Sequence, residues 1–388
     1  MDKLIYFSIL ISGGERLSIK FLDSTFKLTQ LTFFFCFLVF IFFKKYYFSK
    51  KILLYFLPII GIHFLSLFNT VSFIKSFFFF LFIIFNYLIV VETVYSWCRY
   101  KKNEDIMENY IQIFRVVGVL SIIQFILGSF GITFSIFQND VYQGIYRPAL
   151  WFYEPSFLAT YLCFYYIISL VFFNSDKKKY KKDLFFSILV ICITTSTLGY
   201  MVLLEGMLLY IFFLNKSIFR GIKKTWELIK GIIIGIIAIY FWKKEIIIIF
   251  IGRIFKSGIK KASGGRIDNW GETLKIIKAN SLFGIGANSY GVYTQTNNPP
   301  SNVTLEILVT LGIIGFFCFI IFFIFIFLEC WKLKKDINVK AMGLSLAAAI
   351  IALQANQNYM RTYFWVHIAI LLGIIANCRR KNKFRIEK

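Results

Sequence analysis

The chain has 388 residues, 58% of them hydrophobic and 16% charged, with a mean hydropathy of +0.70 and a formal net charge of +24. Soluble domains carry about a quarter charged residues, so this composition, with apolar runs near the length of a bilayer span, excludes a soluble protein and indicates a polytopic helical membrane protein. The positive charge does not signal nucleic acid either: the basic residues sit in short clusters between apolar runs, the pattern that orients membrane helices.

Taken in order, the basic clusters at 44–51, 99–102, 177–182, 216–224, 332–340 and 379–388 mark cytoplasmic loops. Threading helices between them gives about twelve spans in one integral membrane domain covering 1–388. They fall near 3–13, 27–43, 52–69, 72–96, 110–133, 155–174, 184–197, 198–214, 226–242, 303–328, 341–356 and 363–378, with both termini cytoplasmic. The first span is short. It is read as a retained helix, because no small-x-small cleavage site follows it. The spans meeting at Thr194-Thr195-Ser196-Thr197-Leu198-Gly199 are short as well, and are read as tilted or turning before a full crossing. The apolar stretch 246–255 reaches only about 15 Å as a helix, half the hydrocarbon thickness, and is assigned to the outer surface. The outer segments are then 13–26, 69–70, 133–154, the turn at 195–199, 243–302 and 357–362. No internal repeat of the kind many transporters show is visible. The seven cysteines lie within spans or beside basic clusters, so no disulfide is expected.

The longest outer segment, 243–302, is where a chain this apolar stays outside the membrane longest, and such excursions are usually functional. Within it, Ile267, Trp270, Leu274 and Ile277 recur at helical spacing, with Asp268, Glu272, Lys275 and Lys278 on the other faces. This predicts an amphipathic helix along the outer leaflet. Arg266 follows Gly264-Gly265 at its start, where a guanidinium suits bidentate binding of a diphosphate; the plainer reading is an anchor on ordinary lipid phosphate. Gly284-x-Gly286 lacks the rest of a nucleotide fingerprint and reads as a bend returning the chain to the membrane. Upstream, Arg147-Pro148-Ala-Leu-Trp151-Phe-Tyr153-Glu154-Pro155-Ser156 places an arginine and a glutamate around an aromatic stretch. Pro155 suits a first helical turn, which puts Glu154 at the cap, where the helix dipole favours a carboxylate; the plainer reading is capping plus an aromatic belt.

His63 and His367 each lie in an apolar span and read as hydrogen-bonded helix residues, and without any Asp-x-Asp a metal site is not expected. Glu205, mid-span, is costly there and is either functional or protonated and structural. Lys75, Glu92 and Arg115 lie near span ends and read as snorkelling side chains.

Together these pieces resemble the O-antigen polymerase and ligase family. Four carry the likeness, in the family's order: Arg147 with Glu154-Pro155-Ser156; the Thr-Thr-Ser196-Thr-Leu-Gly turn; Gly265-Arg266 followed by Trp270; and Leu-Phe-Gly284-Ile-Gly286 leading to Asn302-x-x-Leu305-Glu306 and Leu311-Gly312-Ile-Ile-Gly315. The resemblance implies an all-α transmembrane bundle related to the GT-C class, multi-pass in the bacterial cytoplasmic (inner) membrane. It implies a glycosyltransferase working on the outer face on undecaprenyl-diphosphate-linked sugars in membrane lipid, without a metal ion or other cofactor, and with a chain-length regulator protein as a candidate partner. Two departures bear on the activity. Ser301 stands where ligases tend to carry a histidine, which favours a polymerase over a ligase, and Thr197 follows Ser196 where many members have arginine. On this reading Arg147 and Arg266 stabilise the leaving diphosphate and Glu154 is the base, with Asp268 and Glu306 as rivals. Ser196, Asp268, Asn302 and Glu306 join the substrate-binding set, and Trp151, Tyr153, Trp270 and Tyr290 are candidates for stacking on sugars. A lipid-linked oligosaccharide flippase is the principal alternative from another class, and a structural or receptor-like protein ranks last.

Overall fold

In hydrocarbon a chain must satisfy its own peptide groups, so the apolar runs between basic clusters fold as helices. The computed structural model describes all residues except 22–23, 143, 215–225, 227–228, 231–232, 234–236, 238–265, 297–299, 357–358 and 387–388. The described chain is an all-α polytopic membrane protein: α1 Asp2–Leu10, α2 Leu28–Phe42, α3 Lys50–Leu65, α4 Phe73–Arg99, α5 Asn103–Ser129, α6 Pro155–Ser175, α7 Lys177–Ile193, α8 Thr197–Phe213, α9 Arg266–Ala279, α10 Tyr290–Thr294, α11 Val303–Lys332, α12 Ile337–Ala352 and α13 Thr362–Ile386. Two short hairpins interrupt it, β1 Ser18–Phe21 with β2 Ser24–Lys27, and β3 Asn139–Tyr142 with β4 Ile145–Pro148. Among the described residues seven helices are long and apolar enough to cross a membrane, and α2 and α8 are shorter apolar helices. That is fewer than the twelve spans expected. The span at 226–242 and the surface stretch at 246–255 lie outside the described residues or almost wholly so.

Among the described residues, members of the basic clusters at 44–51, 99–102, 332–340 and 379–388 meet at one end of the bundle. Buried Glu329, near the end of α11, accepts from Lys51 and the Tyr55 hydroxyl at 3.2 Å each, lies 3.9 Å from Lys332, and pairs with Arg379. Lys101 meets Asp2 at 2.6 Å at the same end. Arg115, expected to snorkel, is instead held by Asp183 on α7 at 2.8 Å. Glu92 does not snorkel at all: it is fully buried and accepts from the Ser49 backbone N–H at 3.3 Å. It directly follows a π-helical turn, Asn86–Val91, within α4.

The centre of the bundle is α6. From Pro155 to Phe173 every residue is buried, because α7, α8 and α12 enclose it. A helix apolar on all sides has this place available to it. His63 and His367 are hydrogen-bonded as expected. His63 donates from Nδ1 to the Ile59 carbonyl at 2.7 Å and meets the Tyr359 hydroxyl at 3.0 Å, while His367 lies between Tyr110, Ser345 and the Met342 carbonyl.

At the end opposite the basic clusters, α11 is broken at Gly312, whose φ of 68° and ψ of −171° are non-helical. The residues from Ile313 to Lys332 still extend about 30 Å, enough alone to cross the hydrocarbon. The break frees peptide groups, and the 281–286 segment takes them up. Ile285 and Gly286 N–H donate to the Val309 and Thr310 carbonyls at 3.0 Å each, while Ile313 and Ile314 N–H donate to the Ser281 and Leu282 carbonyls at 2.9 and 3.4 Å. Gly284 and Gly286 hold φ of 69° and 96° so that the backbone can approach this closely. The α3–α4 turn is sewn to the same segment. Asn69 Nδ2 donates to the Gly284 carbonyl at 2.8 Å, and Thr70, Ser76 and Ser289 share a hydroxyl cluster with contacts of 2.6 to 3.2 Å.

An alanine Cβ at Gly312 would collide with the Leu282 carbonyl, and one at Gly284 would lie 2.5 Å from the Thr310 backbone. Each position also needs a left-handed φ, so Gly284→Ala or Gly312→Ala should destabilise by about 2–5 kcal/mol, strain and overpacking together. Thermal unfolding in detergent measures this. Gly61→Ala, which meets nothing within 4 Å, should not lower the unfolding temperature.

Candidate functional site

The site is built at the end opposite the basic clusters. In the β3–β4 hairpin, Asp140 and Arg147 face each other across the strands, with Nη1 and Oδ1 3.4 Å apart. Directly opposed residues of opposite charge are a favourable cross-strand pair. Arg147 Nε also donates to the Thr194 carbonyl at 3.5 Å, and its guanidinium carbon lies 5.9 Å from the centre of the Tyr142 ring. One arginine thus joins the hairpin to the Thr194-Thr195-Ser196 turn between α7 and α8. Ser196, buried, occupies the N-cap position of α8 without a side-chain capping bond.

Glu154 is the N-cap of α6, with Pro155 in the first turn as expected. Its carboxylate is exposed and does not cap the backbone; Oε2 accepts from the Ser156 hydroxyl at 3.0 Å. The segment before it is clamped. Gln124 accepts from the Ala149 and Leu150 N–H at 3.1 and 2.7 Å, and the Arg16 N–H donates to the Trp151 carbonyl at 3.1 Å. The clamp holds Leu150 at φ 50°, a left-handed conformation costly for a bulky side chain. Thr195, Asn288 and Ser301 also have positive φ, so four strained residues fall within or beside the motifs of this end. Such strain persists only where the surroundings over-determine it, and it clusters at functional sites.

The electrostatics of the hairpin tie Glu154 to Arg147. Burial pushes the Asp140 carboxyl above its ordinary value, the Glu154 charge adds to that push, and Arg147 opposes it. Arg147, Asp140 and Glu154 therefore share one electrostatic cluster.

A second group lies on α9 and the start of α11. Trp270 Nε1 donates to the Pro300 carbonyl at 2.8 Å, tying α9 to the Pro-Pro segment. Asn302 caps α11: Oδ1 accepts from Leu305 N–H at 3.0 Å and Nδ2 donates to the Gln354 carbonyl at 2.9 Å. Glu306, half-buried, lies in the first turn of α11, where the helix dipole favours it. Its charge adds to the burial that holds the Tyr359 phenol well above the ordinary value.

The two groups are joined by the 353–361 loop. Gln354 receives Asn302 and Thr304, and Asn356 Nδ2 donates to Thr160 Oγ1 on α6 at 3.1 Å, one turn below Ser156. Tyr359 bonds His63, and Arg361 pairs with Glu15 while its guanidinium carbon lies 3.3 Å from the centre of the Phe157 ring.

A family model described as O-antigen ligase matches residues 184–320. Over that stretch, about a third of the chain, the protein is similar to the O-antigen polymerase/ligase family. The matched stretch of this family runs from α7 into α11 and holds the Ser196 turn, α9, the Gly284–Gly286 segment, Asn302, Glu306 and Gly312; Arg147 and Glu154 precede it. No curated protein matches the chain significantly.

Several expected site residues have other tasks. Trp151, 7% exposed and packed against Phe137, and Tyr290, bonded to Thr273, are buried walls rather than open sugar platforms. Tyr153, 46% exposed, and half-buried Trp270 do offer faces. The Asn302 amide is committed to Leu305 and Gln354 at its two ends. Arg266 and Asp268 lie in the first turn of α9, and their side chains are outside the described residues. Gln124, Glu15, Gln354 and Arg361 were not among the expected site residues. Only Gln124, an amide within an apolar run, carried a signal.

Because folding raises the Asp140 pKa, its contribution to stability is fully present below the unfolded value, about 3.9, and is lost as pH rises through the raised folded value. Asp140→Asn, which imitates the protonated acid, should therefore not lower the unfolding temperature at neutral pH. It should also flatten the pH dependence across that window, as read by thermal unfolding from pH 4 to 7.

Proposed function

We propose that the chain is a surface-polysaccharide polymerase that moves a growing glycan from undecaprenyl diphosphate onto a lipid-linked repeat unit at the outer face of the bacterial cytoplasmic membrane. The basic end of the bundle then faces the cytoplasm, as the positive-inside rule requires, and the Arg147–Glu154 end faces outward. The observation that carries the reading is the cross-strand Asp140–Arg147 pair docked on the Thr194 carbonyl, with Glu154 in the same electrostatic cluster. On this reading a guanidinium and a carboxylate share one water–lipid boundary.

In the reaction Glu154 takes the proton of the acceptor hydroxyl, the hydroxyl oxygen bonds to the anomeric carbon of the donor, and the bond from that carbon to the diphosphate oxygen breaks. Negative charge accumulates on the diphosphate as it leaves. Arg147, with Arg266 at the start of α9, stabilises that charge more in the transition state than in the ground state. Tyr153 and Trp270 supply faces for sugar rings. Glu306 is the rival base on the other side of the 353–361 loop.

The matching family model carries the description of a ligase, so ligation onto an acceptor other than a second repeat unit is the second reading. Ser301 supports the polymerase: it stands before the Asn302 cap where a ligase would be expected to present histidine, and a serine hydroxyl is not a general base at neutral pH.

Deleting the gene should leave single repeat units exported and abolish the chain-length ladder, whereas loss of a ligase leaves the lipid-linked ladder intact. Arg147→Ala and Arg266→Ala should each lower polymerisation on the order of 10²–10³-fold at normal expression, and Glu154→Gln on the order of 10²-fold or more. A normal ladder from all three expressed variants overturns the assignment.

A further inference from the structure

Arg361 enters the structure from the far end of the chain, in the loop that leads into α13, and is 3% exposed. Its guanidinium pairs with Glu15, which is as deeply buried, and the Glu15 carboxylate also lies 3.9 Å from Lys27 Nζ. The flat face of the guanidinium rests on Phe157, with Cζ 3.3 Å from the ring centre. Phe157 belongs to the first turn of α6, and its N–H donates to the Glu154 carbonyl at 3.0 Å. The residues around Glu15 grip the same segment from the other side. The Arg16 N–H holds the Trp151 carbonyl, and the Arg16 Nη1 holds the Phe137 carbonyl and Gln138 at 2.6 and 2.7 Å. Gly13 lies so close to the Phe152 ring that a Cβ there would overlap it.

A buried ion pair is poor evidence for stability, because well-packed apolar side chains of similar volume often serve the fold as well or better. A fork that pairs on its edge and stacks on its face does supply direction, and lysine supplies less of it. We infer that Arg361 is a positioning residue: through Glu15 and Phe157 it sets the height and rotation of the first turn of α6, and with it the Glu154 carboxylate. The inference rests on Glu154 being the group that meets the acceptor sugar.

The test uses the full-length protein in phospholipid vesicles, with lipid-linked repeat units extracted from cells lacking the polymerase. Position is read without reference to activity, from the rate at which a membrane-impermeant maleimide labels Tyr153→Cys, next to Glu154. The native cysteines are buried or half-buried in the bundle and supply a low background. Arg361→Lys should change that labelling rate several-fold at an unaltered unfolding temperature. In the otherwise wild-type chain it should lower kcat on the order of 10-fold to 10²-fold, with KM for the repeat unit within about twofold, as expected when a reacting group is misplaced by about an ångström. Arg361→Gln leaves Glu15 beside Lys27, so neither buried charge stands alone; it remains informative if Arg361→Ala fails to fold, and it should shift labelling in the same way. Unchanged labelling in both backgrounds overturns the positioning role, whatever the activity. Shifted labelling with wild-type kcat overturns the step from position to rate. Full activity of Glu154→Gln, with labelling still shifted by Arg361→Lys, removes the catalytic reading of Glu154 and leaves the positioning of α6 standing.

Discussion

The constraint on which the outer end of this protein depends is the exchange of backbone hydrogen bonds between 281–286 and the break in α11. Inside a membrane a peptide group without a partner is severely penalised, so irregular backbone survives there only where protein or enclosed water supplies one. Val309, Thr310, Ile313 and Ile314 lose helical partners at Gly312 and find them in Ile285, Gly286, Ser281 and Leu282. The exchange fixes where the chain re-enters the bundle. It thereby fixes the short helix carrying Asn302 and Glu306 and, through Pro300, the amphipathic α9. The hydroxyls of Thr70, Ser76 and Ser289 extend the lock to the α3–α4 turn.

A second constraint couples this platform to the hairpin. Described residues between 353 and 361 contribute polar contacts to four neighbours: Gln354 toward α11, Asn356 toward α6, Tyr359 toward α3 and Arg361 toward the residues before β1. Because α6 is enclosed by other helices from Pro155 to Phe173, the exposed cap at its outer end stands on a buried first turn. Groups that must meet a substrate within a fraction of an ångström are best mounted on elements held this way.

Much of this was legible from residue order alone, and the reasons differ by element. The helices announce themselves because apolar runs of span length have no other stable form in lipid. Glu154 at the N-cap and Pro155 in the first turn follow from local stereochemistry, and a helix at α9 follows from helical spacing. Its buried residues among those described are, however, Thr273 and Ile276, while Leu274, expected on the apolar face, is 48% exposed. The break at Gly312 was hidden, since glycine is common in membrane helices and Leu-Gly-Ile-Ile-Gly reads as uninterrupted helix. So was the buried state of Glu92, because a carboxylate near a span end ordinarily reaches for water. The pairing of Glu15 with Arg361 is a contact between residues 346 positions apart, and one sequence holds no record of it. Trp151 and Tyr153 illustrate the same limit on a small scale: two aromatic residues two positions apart, one inside and one outside, follow a strained backbone at Leu150 that composition does not reveal.

The widened turn at Asn86–Val91 has a consequence for how α4 serves two masters. Its outer half begins beside the hydroxyl cluster, while its inner half carries Cys98 against Gly373 of α13 and Trp97 on Asp2. A regular helix would bind the angular phase of one half rigidly to the other, so that fitting the first would dictate the second. The looser winding between them works as a clutch: it absorbs the mismatch in phase and lets each half mesh with its own neighbours.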